Sequence, residues 1–339
     1  MRKLHHFGLY APVILLAALA IAWSLGWLWL KGEVAGRMDA ARQAWSGQGR
    51  ELSWESRRIY GFPFRLDVDL GNARLAEASG AGLAIPVLQA EAFVFAPTHW
   101  VGVAPQGVVF RRRNGEPVVV TAKILRASLT DFAARPPRLA VEGFGLSFSA
   151  PKGARPYFLA SAGELHLHAK AGPDDQGAVR LEIENATARP QSLFARIAQG
   201  RPLSLTADLI YSHAGALRGS DWPSAAAAWT AAGGAITVRQ LAITAGDAVL
   251  DARGGTLSVG ADGRLEGALT ASLRQAPRAL AAMDQSGALA PGAAGTAASV
   301  LGALGGVSGR RPAITVTIDF QAGQTTLGPV AIGAAPRIY

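Results

Sequence analysis

The residues best suited to chemistry are few, and they stand in alternating runs. His166 and His168 form an H-x-H; on a strand both imidazoles project from one face, a spacing that chelates a metal ion through two nitrogens. Asp67 with Asp69, and Glu182 with Glu184, repeat that geometry with carboxylates, which in such pairs share a proton or bind a cation. Each pair also has a plainer reading. Leu165 and Leu167 alternate with the histidines and would face a core, leaving the imidazoles on a wet face without a local third ligand. Alternation alone accounts equally well for the carboxylates. Gly145-Leu146-Ser147-Phe148-Ser149 departs from the G-x-S-x-G nucleophile elbow at its last residue. No phosphate-binding loop or dinucleotide fingerprint follows a strand. The absence of cysteine rules out thiolate nucleophiles, disulfides and Cys-ligated metal sites. No nucleophile, base and orienter converge, so the expectation is a non-enzymatic protein with no metal and no cofactor.

The element that must position everything else is Gly8 to Leu30, in which no residue is charged. At about 1.5 Å per residue such a helix covers the roughly 30 Å hydrocarbon core of a bilayer. A cleaved signal peptide is the rival reading, with Arg2 and Lys3 ahead of Ala18-Leu19-Ala20. The apolar run continues through Trp23, Leu25, Trp27 and Leu30, well beyond a signal's apolar region of about 7 to 15 residues. Trp23, Trp27 and Trp29 gather at one end and Tyr10 near the other, where aromatic rings favour the membrane–water boundary. The short basic N-terminus is expected to stay in the cytoplasm and the rest of the chain to be translocated.

The net charge of +9 would suit a polyanionic partner. Arginine supplies 28 of the 33 basic residues in an Ala- and Gly-rich chain, which reads as compositional bias, and nucleic acid is not expected. Only Arg111-Arg112-Arg113 forms a run, and with Asn114-Gly115 after it the run reads as a solvated hairpin tip. With 50% hydrophobic and 17% charged residues the chain can bury real cores.

Beyond Leu30, Val34, Met38, Ala41 and Trp45 keep helical spacing to Gly47 or Gly49. The period then becomes 2. Phe62, Phe64, Leu66, Val68 and Leu70 alternate with Pro63, Arg65, Asp67 and Asp69, which predicts a half-buried strand with those apolar residues inward. Similar runs at Val87–Pro97, Gly107–Arg126, Phe158–Lys170, Ala178–Ala186 and 203–211 predict an antiparallel meander. Asp221, Pro223 and Gly233-Gly234 bracket a short helix. Strands resume at Ile236, and Pro277 to Leu304 reads as two short helices around Pro291-Gly292 before the closing strands. The fold class is therefore mainly β, an N-terminal transmembrane helix followed by a long, curled antiparallel meander with a few short helices. The expected divisions are a cytoplasmic tail at 1–7, the membrane helix at 8–30 and a helical extension at 31–50. A β-rich lobe at 51–215, a helical connector at 216–232 and a second β-rich lobe at 233–339, with a helical insertion at 277–305, complete them.

Tyr60-Gly61-Phe62-Pro63-Phe64-Arg65-Leu66, behind an N-terminal anchor and a short helix, resembles a family of uncharacterised bacterial envelope proteins, a domain of unknown function. Asp262-Gly263-Arg264-Leu265-Glu266-Gly267 and Gly328-Pro329-Val330 are similar to that family and, more loosely, to AsmA-like envelope proteins. The resemblance implies an inner-membrane anchor, a periplasmic β-domain and an apolar concave face that binds or transports phospholipid or another envelope lipid. It also implies a role in envelope assembly and attaches no catalytic residues. Phe62, Phe64, Leu66 and Val68 are the candidates for lining such a groove or for determining the fold. The alternative is a scaffold with a packed β core that docks other envelope proteins.

Overall fold

The computed structural model describes residues 7–113, 116–190, 192–287, 289, 292–305 and 313–339. Arg2, Lys3, the Asn114-Gly115 turn and Pro291 lie outside these residues. The chain opens with α1 (Phe7–Ser46), 40 residues without a break. It is the helix among the described residues that is long and apolar enough to cross a membrane, with a mean hydropathy of 2.2 over its most apolar window and only 6% of that window buried by the rest of the protein. A core helix of that composition would be covered; this one is bare. The charged half of α1 is held differently, by a Glu33–Arg37 pair at 2.7 Å one turn apart and by Asp39 on Arg57 at 2.9 Å.

Nineteen strands among the described residues make one antiparallel sheet. Its first part is β1 (Glu51–Ser53), β2 (Ser56–Tyr60), β3 (Arg65–Ala76), β4 (Gly82–Phe93), β5 (Trp100–Val103), β6 (Val108–Arg111), β7 (Val118–Thr121) and β8 (Ile124–Thr130). Long strands follow, β9 (Arg138–Ser149), β10 (Leu159–Ala171), β11 (Gly177–Ala188) and β12 (Leu203–Tyr211), with α2 (Leu193–Ala198) between the last two. After α3 (Trp222–Ala231) come β13 (Ala235–Ala245), β14 (Ala248–Ala252), β15 (Thr256–Val259) and β16 (Leu265–Arg274). Two helices, α4 (Ala276–Gln285) and α5 (Ala293–Gly305), precede β17 (Ile314–Gln321), β18 (Gln324–Leu327) and β19 (Val330–Ala334).

Neighbours in the sheet are neighbours or near neighbours in the chain, as short loops and alternating patterns demand. Several long strands each meet a pair of short ones: β3 pairs with β1 and β2, β4 with β5 and β6, β9 with β7 and β8, β13 with β14 and β15, and β16 with β14 and β15. The run Val118 to Leu125 therefore breaks at Ala122-Lys123 where a continuous strand would be expected. The connector α3 interrupts the chain but not the sheet, because β12 pairs directly with β13 from Leu203↔Ala245 to Tyr211↔Ile236. Asp221 caps α3 by accepting the Ser224 N–H at 2.9 Å, and Ser224 Oγ accepts the Asp221 N–H in return.

Four apolar clusters are strung along the fold. In one, Trp27, Leu30, Val34 and Met38 of α1 lie against Ile59, Leu66, Val68 and Leu70; the spacing of 3 and 4 puts these helix residues on one stripe. In another, α4 and α5 cover the inner side of β17–β19.

The strand expectation needs one correction. Leu66 and Val68 are buried in β3, whereas Phe62 and Phe64 precede the strand and are exposed. Gly61 adopts φ +106°, a left-handed conformation, and the Arg65 N–H closes back on its carbonyl at 2.9 Å. That turn throws both phenylalanines outward, so the alternation begins at Arg65 and not at Phe62.

Candidate functional site

The register of the sheet sorts its residues into two faces. Across β8 to β17, Ala127, Val141, Leu167, Leu181, Ala207, Leu241, Ala252, Ala271 and Val316 stand directly opposite one another in successive strands. The adjoining row runs Leu165, Ile183, Leu205, Ile243, Leu250, Leu273 and Ile314. Facing pairs share a side of the pleat, so both rows form one apolar face.

This face is covered unevenly. Ala252, Ala271 and Val316 are buried, packed with the clusters of the second half. Val141, Leu167, Leu181 and Ala207 are only half-buried and join none of the four clusters formed by the described residues. Beside them Ile183, Leu205 and Ile243 line a cavity of about 120 Å³ with Phe158 and Phe194. At about 4.8 Å per strand the uncovered stretch from β8 to β12 spans roughly 19 Å.

The opposite face holds the residues with chemical potential. His168 stands opposite Arg180 and His166 opposite Glu182; together with Arg138, Lys170 and Arg239, His168 and Arg180 line a polar trough of about 890 Å³. His166 packs edge-on against Phe144 at 5.6 Å and contacts Glu164 at 3.3 Å. The acids are engaged with arginines. Glu182 pairs with Arg180, whose pKa its hydrogen bond and charge raise. Asp67 is buried on Arg65 at 2.9 Å, and Asp69 accepts the Tyr60 hydroxyl at 3.2 Å. Glu184 is exposed beside them on β11. No group of three or more His, Asp or Glu among the described residues is arranged to hold a metal ion.

A third feature was not read from the sequence. A cleft of about 1090 Å³ lies where the end of α1, the β3–β4 turn, the start of α3 and Ile338-Tyr339 meet. Trp222 ties it together, its indole donating to the Ile338 carbonyl at 2.8 Å and its backbone N–H to Glu77 at 3.1 Å. Arg50, Arg112 and Arg113 rim it, and Asp221 sits among them with its pKa held below the usual carboxylate value, first by the Ser224 hydroxyl and backbone and then by Arg113 and Arg50. Arg112 also lies over the Tyr157 ring at 5.7 Å; burial nevertheless raises the Tyr157 pKa. The two Trp222 contacts join segments more than 100 residues apart, which alternation cannot reveal.

A helix long and apolar enough to cross a membrane, docked by its C-terminal half onto a single antiparallel meander with one polar and one apolar face, defines a single-helix β-domain protein. The chain belongs to the DUF2125 family, described as an uncharacterized protein conserved in bacteria, whose model matches residues 27–336. The match begins within α1 at Trp27, the helix residue that the β-domain buries. No curated protein and no solved structure matches the chain.

Proposed function

We propose that this is a non-enzymatic lipid-handling protein of the bacterial envelope, crossing the cytoplasmic membrane once through α1, with a cytoplasmic N-terminus and a periplasmic β-domain. The observation that carries the reading is the half-buried part of the apolar face at Val141, Leu167, Leu181 and Ala207, which joins none of the four clusters formed by the described residues. A contiguous apolar strip left partly exposed is a candidate binding surface. A phospholipid or another envelope lipid, laid across the strands, covers it without needing a hydrogen-bonding partner. The looser likeness to AsmA-like proteins points the same way, as does the location that α1 implies. Docking of another envelope protein on the same strip is the rival.

The test uses the full chain, because an anchor-free fragment starting at Lys31 loses Trp27 and Leu30 from the cluster under α1. Native mass spectrometry of detergent-released protein should show bound phospholipid, lost in Leu167→Asp and retained in His168→Ala on the opposite face. A folded wild-type protein with no lipid moves the reading to the protein-docking scaffold.

A further inference from the structure

Outside α1, four exposed phenylalanines stand at one end of the β3–β4 hairpin. Phe62, Phe64, Phe93 and Phe95 are 54%, 61%, 51% and 73% exposed. They share one end of the hairpin, Phe62 and Phe64 on the side of α1 and Phe93 on the side of Arg65. Arg65 pairs with Phe93 across the strands, the Val94 N–H donates to the Phe64 carbonyl at 3.0 Å, and the Phe93 and Phe95 rings stack at 5.1 Å. Two of the four are fastened to α1: Phe64 lies 6.2 Å from Trp23, and Phe62 meets Trp27 edge-on at 5.6 Å.

The height of this end along α1 identifies what covers it. Trp23 lies seven residues inside the charge-free stretch that ends at Leu30, which is about 10 Å along a helix axis. The loop therefore lies beside α1 below the level at which the apolar stretch ends. In such a place backbone carbonyls need protein donors, since water is scarce. Four of them have such donors, the Gly61 and Phe64 carbonyls from the Arg65 and Val94 N–H groups and two more from α1. The Trp23 indole N–H donates to the Pro63 carbonyl and the Trp27 indole N–H to the Arg65 carbonyl, both at 2.9 Å. Arg65, at the level of Phe93, turns its guanidinium along the strands to Asp67 at 2.9 Å and Glu91 at 3.0 Å. Aromatic rings, satisfied carbonyls beside them and charges paired along the strands suit a membrane interface.

We propose that Phe62, Phe64, Phe93 and Phe95 form an aromatic wedge that enters the interfacial layer of the bilayer α1 crosses, so that the base of the β-domain sits in the membrane surface. The inference rests on α1 spanning a bilayer, and the wedge gives the apolar face of the sheet a base in contact with lipid.

The chain has no cysteine, so single-cysteine spin labels can be placed in the full protein reconstituted in phosphatidylethanolamine–phosphatidylglycerol vesicles. Leu16→Cys reports the span, Phe64→Cys and Phe95→Cys the wedge, and Ala78→Cys the opposite end of the hairpin, about 12 residues or roughly 40 Å of strand away. All four positions are exposed in the protein, so the fold is retained; far-ultraviolet circular dichroism verifies it. The ratio of collision with oxygen to collision with a water-soluble nickel chelate should be high at Leu16, close to that value at Phe64 and Phe95, and low at Ala78. Labels at Phe64 and Phe95 that behave like Ala78 while Leu16 stays in lipid overturn the wedge and leave the span intact. A Leu16 label in water overturns both. Labels at Phe64 and Phe95 screened from both reagents mean that protein covers this end of the hairpin, which overturns the wedge as well.

Discussion

The β-domain meets α1 at two levels, and the tryptophans of α1 itself serve the two differently. At the lower level Trp23 and Trp27 give their indole N–H groups to backbone carbonyls, with phenylalanine rings around them. At the upper level Trp45 offers only its ring face, over which Arg50 sits at 5.4 Å while donating to the Ser220 carbonyl at 2.9 Å. Arg112, Arg113, Glu77 and Asp221 line the cleft there. The lower junction is satisfied without water and the upper one is built from groups that water solvates. The same residue type thus records a polarity gradient along one helix, which composition alone does not show.

The largest effect should come from separating neighbours within the lower junction. Leu66 has no exposed surface and packs under α1, so Leu66→Ala should cost about 3 kcal/mol in equilibrium unfolding of the full chain in mild detergent. Phe64→Ala, two residues away and exposed, should change stability by no more than about 0.5 kcal/mol in the same assay. Equal costs at the two positions would show Phe64 to be core, and the two levels would lose their distinction.

This pair also marks how far the sequence was legible. Period-2 runs identify the meander because every strand has one wet and one dry face, and the Asp221, Pro223 and Gly233 signals bracket α3 for the same local reasons. The charge-free run does as much for α1. Periodicity could not see that Gly61 turns the chain, so Phe62 and Phe64 read as strand residues although their side chains point away from the core. The separation of His166 and His168 from Leu165 and Leu167 was readable; the bare middle of the apolar face was not. Whether Leu167 and Leu181 are covered depends on where α2, α4 and α5 pack, and the meeting of α2 with α4, where Ile197 and Ala282 share a cluster, is a long-range contact that alternation cannot show.

A smaller effect tests the donors themselves. Trp27→Phe keeps an aromatic ring against Phe62 but removes the N–H on the Arg65 carbonyl, and an acceptor left unpaired in a part-buried site costs about 1–3 kcal/mol. Trp45→Phe at the upper level loses only part of a cation–π contact, about 0.5–1 kcal/mol for an exposed pair. Thermal unfolding of both variants in detergent should rank them in that order; the reverse order would mean that the lower carbonyl is served by water after all.

The smallest effect belongs to the upper level and is read through pH. Asp221 is depressed below its ordinary carboxylate value of 3.8, chiefly by the Ser224 hydroxyl, then by the Ser224 backbone N–H and by Arg113 and Arg50. A depressed carboxylate stabilises the fold above its unfolded pKa, and that contribution is lost as pH falls through the folded pKa. Asp221→Asn keeps an oxygen to accept the Ser224 N–H, because asparagine caps helices as well as aspartate, but it cannot titrate. The melting temperature of the wild type minus that of the variant should therefore be positive and constant near about pH 6 and should shrink towards about pH 2.5. A difference that stays constant through acid would mean that the cap acts by hydrogen bonding alone and that the arginines around the cleft exert no field on it, leaving the upper level no more electrostatic than the lower.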